Sequence, residues 1–429
     1  MAALTPFRAW HPATDSNASR LICPVYDTIG AEELVRFSTL PHNAARFVPR
    51  PANQSVSEFV RTATAEIRSA IRDGAFVRDA EPGYYVYGIR YVPDADILET
   101  IPVRERRSAY LLLGLLGKID FDRSTASDLA LHERVFEDRV EERIALTDAT
   151  GFQYAPIMAG YSTGGHTLND RLEAILDIDR RKLSFQGAYK PLFAASIGET
   201  THVLWRISEE SQTRELTSVV EKLRLLVFDG HHRYTAASRR HSSGKAASPL
   251  MMLVDGHDRA LRLMPWHRAL GREDLSFERW ITRAREEFQS VESLGKELSI
   301  EETIQTLHDM TEGGQRGFLA FGRPGGFRVV GPANPDVGAD FDLLHGSLEN
   351  RWGIDPVRFA FHRSPRRALE AIRDPRGTRA GGSAFLLPDL HLERLELRAF
   401  DSRVPMAQKS TMFLPKVAEG VVFAAADRE

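Results

Sequence analysis

The sequence predicts a mixed α/β chain of the α+β kind, and three observations carry that prediction. Ala109 to Gly117 is an unbroken apolar run, as expected of a strand covered on both faces. Val56, Phe59, Val60, Ala63, Ile67, Ala70 and Ile71 fall three and four apart, which places one apolar stripe on a helix. Strand-like and helix-like stretches then alternate as far as Gly420, with no repeat and no low-complexity linker.

Taken in order, the first 50 residues are rich in Pro, Asn and His and show little periodicity; their strand-like piece is Leu21 to Cys23. The helix from Val56 has Asn53 or Ser55 to cap its start and Gly74 to stop it. Tyr84 to Val92 is aromatic and β-branched and reads as a strand, like the run from Ala109. Phe121 to Gln153 is polar and charged without a strong period. Helices are expected over Leu168 to Leu176 and Glu209 to Leu223, with a strand over His202 to Ile207 between them. Arg224 to Phe228 is the next strand, Tyr234 to Arg240 looks helical, and Pro249 to Val254 is again a strand. Beyond Leu270, Ser276 to Phe288 is amphipathic, and Ser299 with Glu302 makes a capping box. Gly317 to Phe321 and Phe327 to Val330 flank a turn and read as a hairpin. The domain division expected is 1–270 and 271–429, with the final segment packing back on the first part.

Composition narrows the function classes. The chain has 429 residues, Lys+Arg 56 and Asp+Glu 59, a net charge of −3, and 42% hydrophobic residues. That is enough apolar material for a sizeable core and not the footprint of a general nucleic-acid binder. One cysteine, Cys23, excludes an intramolecular disulfide and a multi-cysteine zinc site. No stretch approaches the ~20 apolar residues of a membrane span. The N-terminus lacks the charged start and apolar stretch of a signal peptide, so the expectation is a cytoplasmic protein.

The segment that can be argued from chemistry is Leu225 to Ala237, LLVFDGHHRYTAA. An apolar strand ends at Asp229, Gly230 permits a turn, and a helix begins within one or two residues. The first N–H groups of a helix lack partners and attract anions. Arg233 adds a planar fork suited to phosphate, while His231 and His232 supply donors or proton-transfer groups. Asp229 either binds magnesium, through phosphates and this one carboxylate, or caps the helix. A His–His metal site is disfavoured, because adjacent side chains project in different directions.

This segment resembles the signature of the bacterial and archaeal family catalogued as domain of unknown function 1015. Further stretches agree in order: Thr5-Pro6-Phe7-Arg8, Cys23 to Ile29 with its Pro24-Val25-Tyr26-Asp27 core, Leu131-His132-Glu133-Arg134, Phe152 to Pro156, His202 to Arg206, Pro265-Trp266-His267-Arg268 and Met406 to Thr411. The resemblance spans Pro6 to Gly420. It implies a ParB/sulfiredoxin-like core with family-specific insertions and a C-terminal α/β part. That superfamily includes free-serine kinases with a phosphate loop similar to Asp229–Arg233. Sulfiredoxin carries its reactive cysteine within this loop, where the present chain has His231, so thiol chemistry is disfavoured. ParB proteins use the loop as a nucleotide switch. Two departures stand out. Val140 replaces a lysine, so any phosphate contact there is absent or supplied by Arg139 or Arg143. Cys23 and Val25 stand where alanine and proline are usual.

The function expected is a nucleotide-dependent kinase acting on a small hydroxyl amino acid, L-serine first, with Mg2+ and ATP or ADP. The alternative is a non-catalytic nucleotide switch. Transfer to a hydroxyl needs a proton acceptor, and Glu133 is the candidate, with His132 beside it and Asp27 as runner-up base or magnesium ligand. Lys409, Ser410 and Thr411 are candidates to clamp a phosphate or a carboxylate, and Arg143, His267 and Arg268 to line the substrate pocket. Partners are the nucleotide and the amino acid; no membrane or nucleic acid is expected, and a homodimer is left open.

Overall fold

The computed structural model describes residues 3–13, 15–25, 28–101, 106–124, 128–162, 167–245, 247–295, 298–332 and 339–426. Helices and strands are mixed throughout, as expected. No described helix is long and apolar enough to cross a membrane.

Among the described residues, the larger sheet has nine strands. Its path runs Leu129–Ala130, Leu225–Asp229, Ile157–Tyr161, Leu250–Asp255, Tyr110–Ile119, Tyr84–Tyr91, Thr200–Ile207 and Phe193–Ile197, and Leu4–Thr5 pairs with the far end of Tyr110–Ile119. Most neighbours are antiparallel; Leu225–Asp229 with Leu129–Ala130, and Leu250–Asp255 with Ile157–Tyr161, are parallel.

The apolar run around Leu113 is continuous because both faces of the sheet are covered. Leu111, Leu113 and Leu115 pack under helices Thr167–Leu176 and Glu210–Val220, through Leu168, Leu172, Leu216 and Val220. Leu112 and Leu116 face the other way, in one core with Phe413, Val417, Val421 and Val422 of the tail. Such side chains each contribute roughly 1.5–3 kcal/mol on full burial. The tail therefore supplies a face of the first sheet.

Ser55 caps Val56–Arg72 with a reciprocal Glu58 contact, and Phe59, Ala63, Ile67 and Ala70 form its buried stripe. That stripe shares a core with Leu146 of a helix, Glu137–Thr150, lying where the sequence shows no strong period. The reason is chemical. Its buried face carries Val140 and Leu146 together with Glu142 and Arg143, a neighbouring ion pair, so charge hides the stripe. The strand expected at Leu21–Cys23 is also corrected: Asp15–Leu21 is helical, and among the described residues Cys23 makes a single isolated backbone bridge, to Glu419.

Among the described residues, a second antiparallel sheet has six strands in the order Ser290–Ser293, Gly325–Val330, Gly317–Gly322, Ser383–Leu386, His267–Leu270 and Ala360–His362. Helices Ile300–Glu312 and Pro365–Arg373 cover one face, and Phe277–Glu287 covers the other through Trp280. Just before this sheet begins at His267, Arg262–Pro265 pairs with Thr411–Leu414. The tail thus meets the end of the Leu225–Asp229 strand, where the rings of Phe228 and Phe413 stack 4.0 Å apart.

Candidate active site

Leu225–Asp229 ends in an irregularity: its pairing with Ile157–Tyr161 shifts register between Val227 and Asp229. A bulge of this kind bends a strand and re-aims its last side chain. The Phe228 ring lies over Gly160, where any Cβ would come within 1.8 Å of it. Gly230 then adopts a left-handed φ of +93°, and His231–Ser242 starts at the next residue. The strand, glycine turn and helix start expected from sequence are all present.

A cleft of about 380 Å³ opens at this helix start. It is lined by Arg50, Arg134, Arg139, Arg233, Lys409 and Lys416, against the carboxylates of Glu133, Glu142 and Asp229. Helix Glu137–Thr150 also begins here. Its first orphan donor, the Phe136 N–H, is accepted by His232 Nε2 at 3.0 Å, and the two rings stack. That bond fixes His232 as the neutral tautomer with its proton on Nδ1. Burial, with Lys409 and Arg139 nearby, lowers its pKa to about 4.

Asp229 is the anionic centre of the turn. Arg233 Nη2 donates to it at 2.7 Å, and Lys416 Nζ donates to its other oxygen. Burial opposes ionisation, but Lys416 and Arg233 outweigh it and hold the carboxyl at about 2. Arg233 is also spent inside the fold, with Nη1 donating to the Ala155 and Pro156 carbonyls at 3.0 and 2.9 Å. Its guanidinium lies across the face of Gly230, where a Cβ would meet it at 3.0 Å. Its fork therefore pins the turn to the neighbouring strand rather than standing open for phosphate.

Glu133 is held from both sides by the tail. Its segment bridges Met406, with the Arg134 N–H donating to the Met406 carbonyl at 3.0 Å and the Met406 N–H to the His132 carbonyl at 2.7 Å. The Thr411 N–H and hydroxyl both donate to Glu133 Oε1 at 2.5 Å. Burial raises the Glu133 pKa, against the Thr411 hydrogen bonds and the charges of Lys409 and Arg268. A carboxylate so placed takes up a proton more readily than a surface one.

The other residues singled out by sequence divide plainly. His132 and His231 are buried, their rings packed edge to face, and burial pushes the His132 pKa down to about 3. Lys409 lies in the cleft with a left-handed φ of 55°, its Nζ 5.2 Å from the centre of the Trp266 ring. Ser410 is buried and donates to the Ala407 carbonyl, away from the cleft lining. Arg143 does not reach the cleft; it pairs with Glu142 and lines a small apolar pocket beside Leu146 and Tyr154. Of the two replacements considered for the missing lysine, Arg139 is the one at the cleft, while Val140 is core. His267 is a buried sheet residue whose Nδ1 accepts the Leu387 N–H at 3.2 Å. Arg268 is fully buried and lies over the rings of Phe341 and Phe361, donating to the Trp266 carbonyl. Tyr26 and Asp27 lie outside the described residues. Among the described residues no group of three His, Cys, Asp or Glu side chains is arranged to hold a metal ion.

Sequence reasoning missed Lys416, Arg50 and Glu142 as cleft residues. Lys416 follows the Thr411–Leu414 strand and meets Asp229 across 187 positions, with no spacing signal to find it.

Residues 4–324 match the model of a family described as protein of unknown function, DUF1015. No curated protein matches the chain. Among solved structures, a free serine kinase variant in complex with ADP is 11% identical, with 70% of this chain and 87% of that chain covered and a TM-score of 0.39. A conserved hypothetical protein from Pyrococcus furiosus is 12% identical, with 70% and 90% covered and a TM-score of 0.37. SbnI from Staphylococcus aureus, truncated at its C-terminus, is 10% identical, with 70% and 82% covered and a TM-score of 0.36.

Proposed function

The chain belongs to the DUF1015 family, and from its cleft we propose that it is a nucleotide-dependent phosphotransferase acting on a small hydroxyl compound. The observation that carries this reading is a single one. A cationic cleft at a helix start holds, in the same space, a buried carboxylate whose pKa is raised. Phosphoryl transfer needs little else from a protein: positioning, charge neutralisation and a place for the acceptor's proton.

The residues divide the work as follows. The first N–H groups of His231–Ser242 and the side chains of Lys409, Arg134 and Arg139 bind phosphate oxygens. Arg233 and Lys416 hold Asp229 and with it the turn. Glu133 accepts the proton of the attacking hydroxyl. Magnesium would enter on the nucleotide phosphates and offset their charge; Asp229, expected from sequence as its ligand, does not fit that role, because Arg233 and Lys416 already take both of its oxygens. L-Serine, yielding O-phosphoserine, is the first acceptor to test, following the sequence resemblance.

The test is a product screen. ATP, ADP and CTP with magnesium are each offered with serine, threonine and homoserine, and products are followed by phosphorus NMR. A phosphorylated hydroxyl amino acid is expected. Nucleotide binding without transfer to any acceptor would instead favour a nucleotide switch, and no binding at all overturns the phosphate cleft.

A further inference from the structure

His231, His132 and Thr411 form a continuous hydrogen-bonded chain that ends on Glu133. His231 Nε2 lies 3.3 Å from His132 Nδ1, His132 Nε2 lies 2.7 Å from Thr411 Oγ1, and Thr411 Oγ1 lies 2.5 Å from Glu133 Oε1. The chain crosses three separate parts of the sequence and starts on the first residue of the phosphate-loop helix.

We propose that this chain is a positioning device for the base, in which Thr411, His132 and His231 each donate toward Glu133, hold it as a carboxylate and fix which of its oxygens meets the substrate. This rests on the reading of Glu133 as proton acceptor. Thr411 has one hydroxyl proton to give. Its backbone N–H already donates to Oε1, which marks that oxygen as an acceptor, so the hydroxyl proton also points there. The Thr411 oxygen then accepts from His132 Nε2–H. His132 Nδ1 is left with a lone pair, which accepts from His231 Nε2–H. Both rings are neutral in this arrangement, and burial enforces that by penalising the imidazolium. With Oε1 taken by two donors, Oε2 is the oxygen that receives the acceptor's proton. The charged and titratable groups facing Glu133 include His132 on its own segment, Lys409 on the tail and Arg268 on the His267–Leu270 strand of the second sheet.

The opposite arrangement has a definite signature. The Val227 carbonyl also faces His132 as a hydrogen-bond acceptor. If His132 carried its proton on Nδ1 toward that carbonyl, Thr411 would donate to Nε2, and Glu133 would have to be protonated to share the short contact.

Thr411→Val keeps the shape and the backbone N–H but removes the hydroxyl, and Thr411→Ser restores it. In Thr411→Val, kcat is expected to fall at least 10-fold and the acidic limb of its pH profile to move up by about one unit, with nucleotide affinity within a few-fold. Thr411→Ser should return both toward wild type. An unchanged profile in Thr411→Val, or a Thr411→Ser protein as impaired as Thr411→Val, overturns the proposal. A second measurement on the intact wild-type protein stands apart from any activity. Nitrogen-15 NMR of the imidazoles should show His132 and His231 neutral with protons on Nε2; a His132 proton on Nδ1 refutes the chain. If no acceptor is phosphorylated, the kinase reading fails while the imidazole spectrum still decides the chain.

Discussion

The Thr411 backbone N–H and hydroxyl converge on one oxygen of Glu133, each at 2.5 Å. The two residues are 278 positions apart, so the tail and the His132–Glu133 segment together position this carboxylate, the base of the proposed reaction. A carboxylate gripped at one oxygen has its rotation fixed, which base catalysis requires.

Replacing Glu133 tests the chemistry directly. Glu133→Gln keeps size and an acceptor oxygen but cannot take the proton. Turnover should drop by roughly 100-fold or more while nucleotide affinity stays within a few-fold. Because burial raises the Glu133 pKa, wild-type kcat should rise with pH through a value above the ~4.3 of an exposed glutamate. Steady-state kinetics across pH checks both points, and equal turnover by Glu133→Gln would remove it as base.

Arg233→Ala should destabilise the apo protein rather than act on ligand alone. It strips the Ala155 and Pro156 carbonyls of a donor and leaves Asp229 with one fewer cation, a loss of about 2–4 kcal/mol in urea unfolding. The sign in pH follows from Asp229. Its folded pKa, about 2, lies below the ordinary ~3.9, so its contribution is present above that ordinary value and disappears as pH falls toward 2. Arg233→Ala should lose less stability across that acid range than wild type does.

Lys409→Ala probes phosphate binding with little risk to the core. Its ammonium lies in the cleft against Trp266. Nucleotide affinity should weaken about tenfold, equal to ~1.4 kcal/mol. The salt dependence of binding should become shallower. Calorimetric titration at two ionic strengths measures both, and an affinity equal to wild type would place phosphate elsewhere.

Cys23 should be inert to alkylation in the native state. It is fully buried, and burial, with Glu419 nearby, raises its thiol pKa well above normal. Mass spectrometry after iodoacetamide should find it unmodified until denaturant is added. Rapid native labelling would reopen thiol chemistry.

Local physics made part of this protein legible from sequence. The Ser55 and Ser299 caps, the stripe from Phe59 to Ala70 and the strand, glycine and helix around Gly230 depend on bonds and periodicities spanning a few residues. The pairing of chemistry-bearing side chains did not. Arg233 looked like a phosphate fork, yet its partners are the carbonyls of Ala155 and Pro156 and the carboxylate of Asp229. Arg143 and His267 stand in motifs that resemble functional ones, and the fold turns both away from the cleft. Helix Glu137–Thr150 was hidden because its buried face is stabilised by ion pairing, which hydrophobic period cannot register. Lys416 reaches Asp229, and Thr411 reaches Glu133, only once the tail has covered the first sheet and paired with Arg262–Pro265. Sequence determined which residues could bind anions or take protons; tertiary structure decided which of them face one another, because side-chain direction and counter-ion choice are fixed by packing between distant segments.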